Sequence, residues 1–149
     1  MPLPLNAPLP SFEGIEYWLN TAPPTAQSLQ GKPVLVYFWA VSCHICHENM
    51  PFVQSWREKY APHGLQLIAI HTPRQESDTD LQRIKEQITA LQILDPCAAD
   101  NQHLLKDRFD SVFWPAYFLF DAQGILVRRS AGNAGIRMIP PELERLFPY

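Results

Sequence analysis

The 149-residue sequence predicts a single α/β domain, with a central mixed β-sheet flanked by helices on both faces and closed by a C-terminal β-hairpin and helix. Three observations predict it. The run Val34 to Trp39 (VLVYFW) is wholly apolar and dense in β-branched and aromatic types, which suits a strand buried on both faces of a sheet. Strand-like and helix-like segments then alternate as far as Phe109. Finally, two short apolar segments flank Asp121-Ala122-Gln123-Gly124, a loop with glycine that reads as an antiparallel hairpin.

Residues 1–30 are rich in proline and polar groups and read as an irregular lead-in, in which Tyr17, Trp18 and Leu19 pack as a short strand or turn. After the central strand, Ser42 offers an N-cap, and Ile45, Phe52, Val53, Trp56 and Tyr60 recur at helical spacing until Pro62, with Pro51 set to kink the helix. Leu67 to Ile70 is a second strand. Beyond the polar loop TPRQESD, the spacing of Leu81, Ile84, Ile88 and Leu91 marks a helical stripe. Asp95 to Ala99 reads as a short third strand, and Asn101 to Phe109 as a short helix capped by Asp100, with Leu105 and Phe109 one turn apart. The hairpin strands are Ala116 to Phe120 and Ile125 to Arg129, and Pro141 to Phe147 forms the last helix.

Composition limits the partners. With 46% apolar residues the chain can bury one good core, and the formal charge of −3 gives no broad positive field. Arg128, Arg129 and Arg137 are mixed with neutral residues, so neither nucleic acid nor an anionic membrane is expected to bind. Met1 to Pro10 has four prolines, no basic residue and no apolar run of the length an export signal needs, so the expected location is the cytoplasm. The expected state is a monomer. Three cysteines in such a setting do not make a disulfide framework, which leaves catalysis, metal binding or packing to explain them.

Cys43 and Cys46 lie in Cys43-His44-Ile45-Cys46, where the buried strand ends and a helix begins. Residues three apart on a helix are neighbours, so the two sulfurs can join without refolding. Free N–H groups and the positive end of the helix dipole favour an anionic sulfur. A protonated His44 would act in the same direction, tuning the thiol pKa downward. Thiolate is the attacking species in disulfide exchange. Cys43, at the helix edge where it can be exposed, is the expected nucleophile, and Cys46, one turn inside, the expected resolving thiol.

The segment LVYFWAVSCHICHENMP resembles the thioredoxin-like oxidoreductases of the TlpA and ResA type, with their aromatic-rich strand, FWA, CxxC and following proline. Similarity to the DipZ-like branch extends through WLN near Trp18, AIHTPR, and Trp114-Pro115-Ala116 followed by FDAQG. The resemblance implies a thioredoxin-like fold and a thiol-disulfide oxidoreductase that works through a Cys43–Cys46 disulfide with no further cofactor. It also implies protein or small-molecule disulfides and thiols as substrates, and an upstream thiol reductant. Pro115 would occupy the cis-proline position, where the backbone of the preceding residue pairs with an extended substrate chain. Trp114 departs from the small or β-branched residue common there, and either shapes the substrate groove or only packs. Tyr37 stands where thioredoxins often keep a buried Asp, and Asn49 where ResA-type proteins carry a Glu, so no general base is named. Glu48 is rotated away from that second position by about 100° and reads as a solvated carboxylate.

Other readings compete. Cys43-His44-Ile45-Cys46-His47 matches the CxxCH pattern of c-type haem attachment, but haem leaves the VLVYFW strand and the Trp-Pro segment unexplained. His47 reads instead as a solvent-facing helix residue. Zinc would need partners beyond the two cysteines and a histidine, yet the chain has no second CxxC, and His63, His71 and His103 are scattered, so no metal is expected. A peroxiredoxin-like peroxidase would want a hydroxyl three residues before the active cysteine, where Ala40 stands. Cys97, after Pro96, reads as a small buried hydrophobe.

Overall fold

The structure, a computed structural model, describes residues 3–148. Its strands are β1 (Tyr17–Leu19), β2 (Val34–Trp39), β3 (Gln66–His71), β4 (Cys97–Ala99), β5 (Ala116–Phe120) and β6 (Leu126–Ala131). Its helices are α1 (Ala26–Leu29), α2 (His44–Tyr60), α3 (Leu81–Ala90), α4 (Leu104–Phe109), α5 (Gly132–Gly135) and α6 (Pro140–Leu146).

The sheet runs β1-β4-β3-β2-β5-β6. Parallel pairing of β2 with β3 and of β3 with β4, and antiparallel pairing at β1–β4, β2–β5 and β5–β6, make it mixed. Every residue of β2 is buried, as a continuous apolar run between two partner strands requires. Successive side chains point to opposite faces. Leu35, Tyr37 and Trp39 therefore join Val53, Trp56, Ile84, Ile88 and Leu143 in one cluster, which also holds both cysteines of the CxxC motif. Val34, Val36 and Phe38 join Leu105, Phe109, Phe118 and Phe120 in the other. There Phe109 packs with ring centroids 5.3 Å from Phe38 and 5.2 Å from Phe118.

Several boundaries differ from the sequence reading, each for a local reason. Within the lead-in, Tyr17–Leu19 forms the short strand its residues suggest and pairs with β4, while residues 6–9, read as irregular, lie along the open edge of β6, where Asn6 N–H donates to Leu126 O and Leu126 N–H to Ala7 O, both at 2.9 Å. An edge strand offers unpaired backbone groups, and the lead-in satisfies them. The third strand begins at Cys97 rather than Asp95, because Asp95 turns inward as a buried carboxylate: it receives Arg57 Nε at 3.0 Å, Arg57 Nη2 at 2.7 Å and the Tyr37 hydroxyl at 2.7 Å. The helix expected from Asn101 starts at Leu104, although Asp100 still caps it, accepting from Leu105 N–H at 2.9 Å and Lys106 N–H at 3.0 Å. α2 continues through Pro51 to Tyr60. The second hairpin strand is Leu126–Ala131 instead of Ile125 to Arg129, and its turn places Gly124 at φ 75°, a conformation that glycine adopts without penalty. Among the described residues no helix is long and apolar enough to cross a membrane.

Candidate active site

β2 delivers the chain to the site, and α2 begins it. Cys43, not Ser42, is the N-cap of α2: its sulfur accepts from Cys46 N–H at 3.2 Å, and Cys43 N–H donates to Ala40 O at 3.0 Å. Ser42 is unavailable for capping because its hydroxyl donates to Asp78 Oδ2 at 2.6 Å. Cys43 and Cys46 are joined as a disulfide, with Cα atoms 5.3 Å apart. That separation falls within the ordinary range, so i and i+3 across a first helical turn can open and close with little backbone movement.

The helix start has a chemical consequence. When the disulfide is reduced, the Cys46 N–H that points at the Cys43 sulfur, together with the aligned peptide dipoles of a 17-residue helix, stabilises negative charge on that sulfur. Exposure does not distinguish the two sulfurs as the sequence suggested. Cys43 is 3% and Cys46 2% exposed, because both are drawn into the cluster that contains Trp39 and Trp56.

Pro115 is buried at the start of β5, and the Trp114–Pro115 peptide is cis. The β2–β5 register aligns Phe38 with Ala116, so the next pair along the ladder brings Pro115 beside Trp39, close to where β2 leaves for the CxxC turn. Trp114 is half-buried. Its indole N–H donates to Thr72 O at 2.9 Å, Thr72 N–H donates to Trp39 O at 3.1 Å, and Lys106 Nζ lies 5.9 Å from its ring centre. Val112 and Phe113, just before it, are 56% and 65% exposed.

The other residues singled out from sequence fall as follows. His44 projects into solvent, its side chain 85% exposed, with Nε2 2.8 Å from Oε1 of Glu48, a surface carboxylate that is itself 57% exposed. His47 is half-buried, and its Nε2 is enclosed without a hydrogen-bond partner among the described residues, contrary to a solvent-facing placement. Asn49 is buried against Tyr117, whose hydroxyl is held neutral to a pH well above its ordinary range by burial. Cys97 is a free, fully buried thiol, pushed up to about 12 by desolvation. Among the described residues no three His, Cys, Asp or Glu side chains are grouped to hold a metal ion.

Sequence reasoning missed a buried polar group behind the turn. His71, at the end of β3, is fully buried and accepts Val41 N–H at Nε2, 3.0 Å away. Asp78 is fully buried and takes both Ser42 Oγ–H and, at 3.0 Å, Arg74 N–H on Oδ2. Arg74 Nη1 donates to Ser42 O at 2.9 Å. Asp78 and Arg74 sit in TPRQESD, a segment whose polarity reads as solvated loop, and His71 is an isolated histidine at a strand end. No local pattern signals either.

The pattern of the AhpC/TSA family matches residues 6–129. The chain belongs to that family. It is 38% identical over 143 residues to the thiol-disulfide oxidoreductase YkuV of Bacillus subtilis (strain 168), covering 96% of each protein. It is also 36% identical over 118 residues to protein DipZ of Mycobacterium tuberculosis (strain CDC 1551 / Oshkosh), an alignment that takes in 77% of this chain and only 17% of DipZ. Among solved structures, a thioredoxin-like protein determined in solution in its oxidized form is 38% identical and superposes with a TM-score of 0.84, over 98% of this chain and 97% of that one. The fold is thioredoxin-like, and the protein is a thiol-disulfide oxidoreductase.

Proposed function

We propose that Cys43 is the attacking sulfur and Cys46 the resolving one, in exchange with disulfides of protein substrates. The single observation that carries this is the Cys43 N-cap: of the two sulfurs, it is the one that receives a first-turn N–H, which favours its thiolate. In the reductive direction the Cys43 thiolate attacks one sulfur of a substrate disulfide, forming a mixed disulfide and releasing one substrate thiolate, which takes a proton. The Cys46 thiolate then attacks the Cys43 sulfur. The second substrate thiol leaves, and the Cys43–Cys46 disulfide remains for an upstream thiol reductant to restore with two electrons. The oxidative direction runs the same steps backwards. No cofactor other than this disulfide is needed.

Two features support proteins as substrates. The backbone before cis Pro115 offers a place for an extended chain, and the exposed Val112 and Phe113 flank it with apolar surface. On this reading Trp114, fixed through Thr72, forms a wall of the groove. His44 adds positive charge at the helix start when protonated, and the chain works as a monomer in the cytoplasm. Insulin-disulfide reduction tests the roles. Cys43→Ser should abolish turnover, whereas Cys46→Ser should stall as a covalent mixed disulfide with substrate. Full activity in both variants, or a trap formed by Cys43→Ser instead, would refute the assignment.

A further inference from the structure

Asp78 is a costly residue to place where it lies. A buried carboxylate loses its hydration, and the loss is recovered only when a cation or a full set of hydrogen bonds replaces the water. Asp78 is fully buried, receives two hydrogen bonds on Oδ2, and its Oδ1 is enclosed without a partner among the described residues. Nor is Arg74 its counter-ion, since that guanidinium is directed at the Ser42 carbonyl. The two hydrogen bonds do not themselves call for a charge, because the carbonyl oxygen of an asparagine would accept both. What the carboxylate adds is a negative field in a low-dielectric setting, and the group it reaches through Ser42 is Cys43, one residue further on.

The same turn is held from a second side. His71 accepts Val41 N–H, so Val41 and Ser42, the two residues leading into Cys43, are each fixed by a buried side chain, one at the end of β3 and one in the loop that follows it. The field of Asp78 is felt at His71, where it works against the effect of burial. Other titratable and charged groups near the turn include His44 beside Glu48, His47, Arg74, Lys106 over Trp114, Glu76 and Asp80 on either side of Asp78, and Arg83, whose Nη1 donates to Ser77 O at 3.3 Å. None of these forms an ion pair with Asp78 among the described residues.

We propose that Asp78 is a positioning residue for the redox pair: through Ser42 it fixes the approach to Cys43, and its charge biases the site toward the disulfide by disfavouring a thiolate there. This rests on the reading of Cys43 as the attacking sulfur. Removing the charge stabilises the reduced form, and removing the Ser42 hydroxyl, which disperses the charge, does the opposite.

The experiment equilibrates the full chain with glutathione redox buffers and reads the ratio of Cys43–Cys46 dithiol to disulfide by alkylation and mass, according to: protein disulfide plus two glutathione thiols gives protein dithiol plus one glutathione disulfide. Asp78→Asn should move the equilibrium constant toward the dithiol by about fivefold or more, and Ser42→Ala should move it toward the disulfide. A purely structural role for Asp78 would lower the thermal midpoint without moving this ratio. Folded Asp78→Asn with a constant within twofold of the parent chain, or displaced toward the disulfide, overturns the proposal. Should Asp78→Asn fail to fold, Ser42→Ala decides: a shift toward the disulfide supports the proposal, and an unmoved constant overturns it. If the parent chain itself does not exchange with glutathione, the functional reading fails first and takes this one with it.

Discussion

His71 makes the oxidised protein acid-sensitive by an amount the structure allows to be worked out. The ring is fully buried, and Nε2 accepts Val41 N–H, which places the ring proton on Nδ1 and leaves the imidazole neutral. Burial is the leading cause that lowers its pKa from 6.5 to about 4, and the nearby Asp78 charge only partly opposes it. In the unfolded chain the same imidazole takes its proton near 6.5. The stabilising contribution is therefore complete above 6.5 and is lost as the pH falls toward 4, where unfolding alone can protonate the ring. The gap between 6.5 and about 4, at roughly 1.4 kcal/mol per pH unit, comes to about 3 kcal/mol. For a domain of this size it corresponds to a thermal midpoint lower by roughly 6–12 °C at the acid end. His71→Gln can still accept the Val41 N–H but cannot take up the proton. Urea unfolding of the oxidised protein, followed by tryptophan fluorescence from pH 7.5 to 4, should show His71→Gln losing about 3 kcal/mol less than the parent chain. Parallel acid losses in the two proteins would refute the argument.

Arg57→Met leaves the Asp95 carboxylate buried with only Tyr37 bound to it, and should cost about 3–5 kcal/mol in urea unfolding, while the double variant with Asp95→Asn recovers much of that loss. At the alkaline end, burial holds the Cys97 thiol up to about 12 and the Tyr37 hydroxyl well above its ordinary value, so both stay neutral when folded; stability is fully present below about pH 9 and should fall as pH rises toward 12, with Cys97→Ala flattening the decline. Trp114→Ala should raise KM for insulin about tenfold while leaving exchange with glutathione disulfide near the parent rate, because on the proposed reading only an extended chain reaches the Trp114 side chain.

The backbone plan of this molecule is close to legible from pattern alone. VLVYFW suits a strand buried on both faces and is one, and the stripe of Ile84 and Ile88 faces a core, because burial of apolar area favours both placements. What pattern misreads is polar residues with inward roles. Pattern places Asp95 in a strand and Asp78 in a polar loop, since a carboxylate has no periodicity to announce that it is buried; Arg57 and Tyr37, which bind Asp95, and Ser42, which binds Asp78, lie 36 or more residues away from them in sequence. The cap of α2 falls one residue past Ser42 for the same reason, Ser42 being engaged across the fold by Asp78. The reactive pair itself was plain, because CxxC at a strand-to-helix junction needs only local geometry to work. The cis state of Trp114–Pro115 was an expectation from family resemblance and not from the residues.

The most direct test of the account is to map which thiols become available when the protein is reduced and reoxidised. Reduced protein, denatured and alkylated, should carry label on Cys43, Cys46 and Cys97. After equilibration with glutathione disulfide only Cys97 should be labelled, with a Cys43–Cys46 linked peptide lighter by two hydrogens, and glutathione thiol should restore the first state. A pair that does not cycle, or that cycles through Cys97, would contradict it.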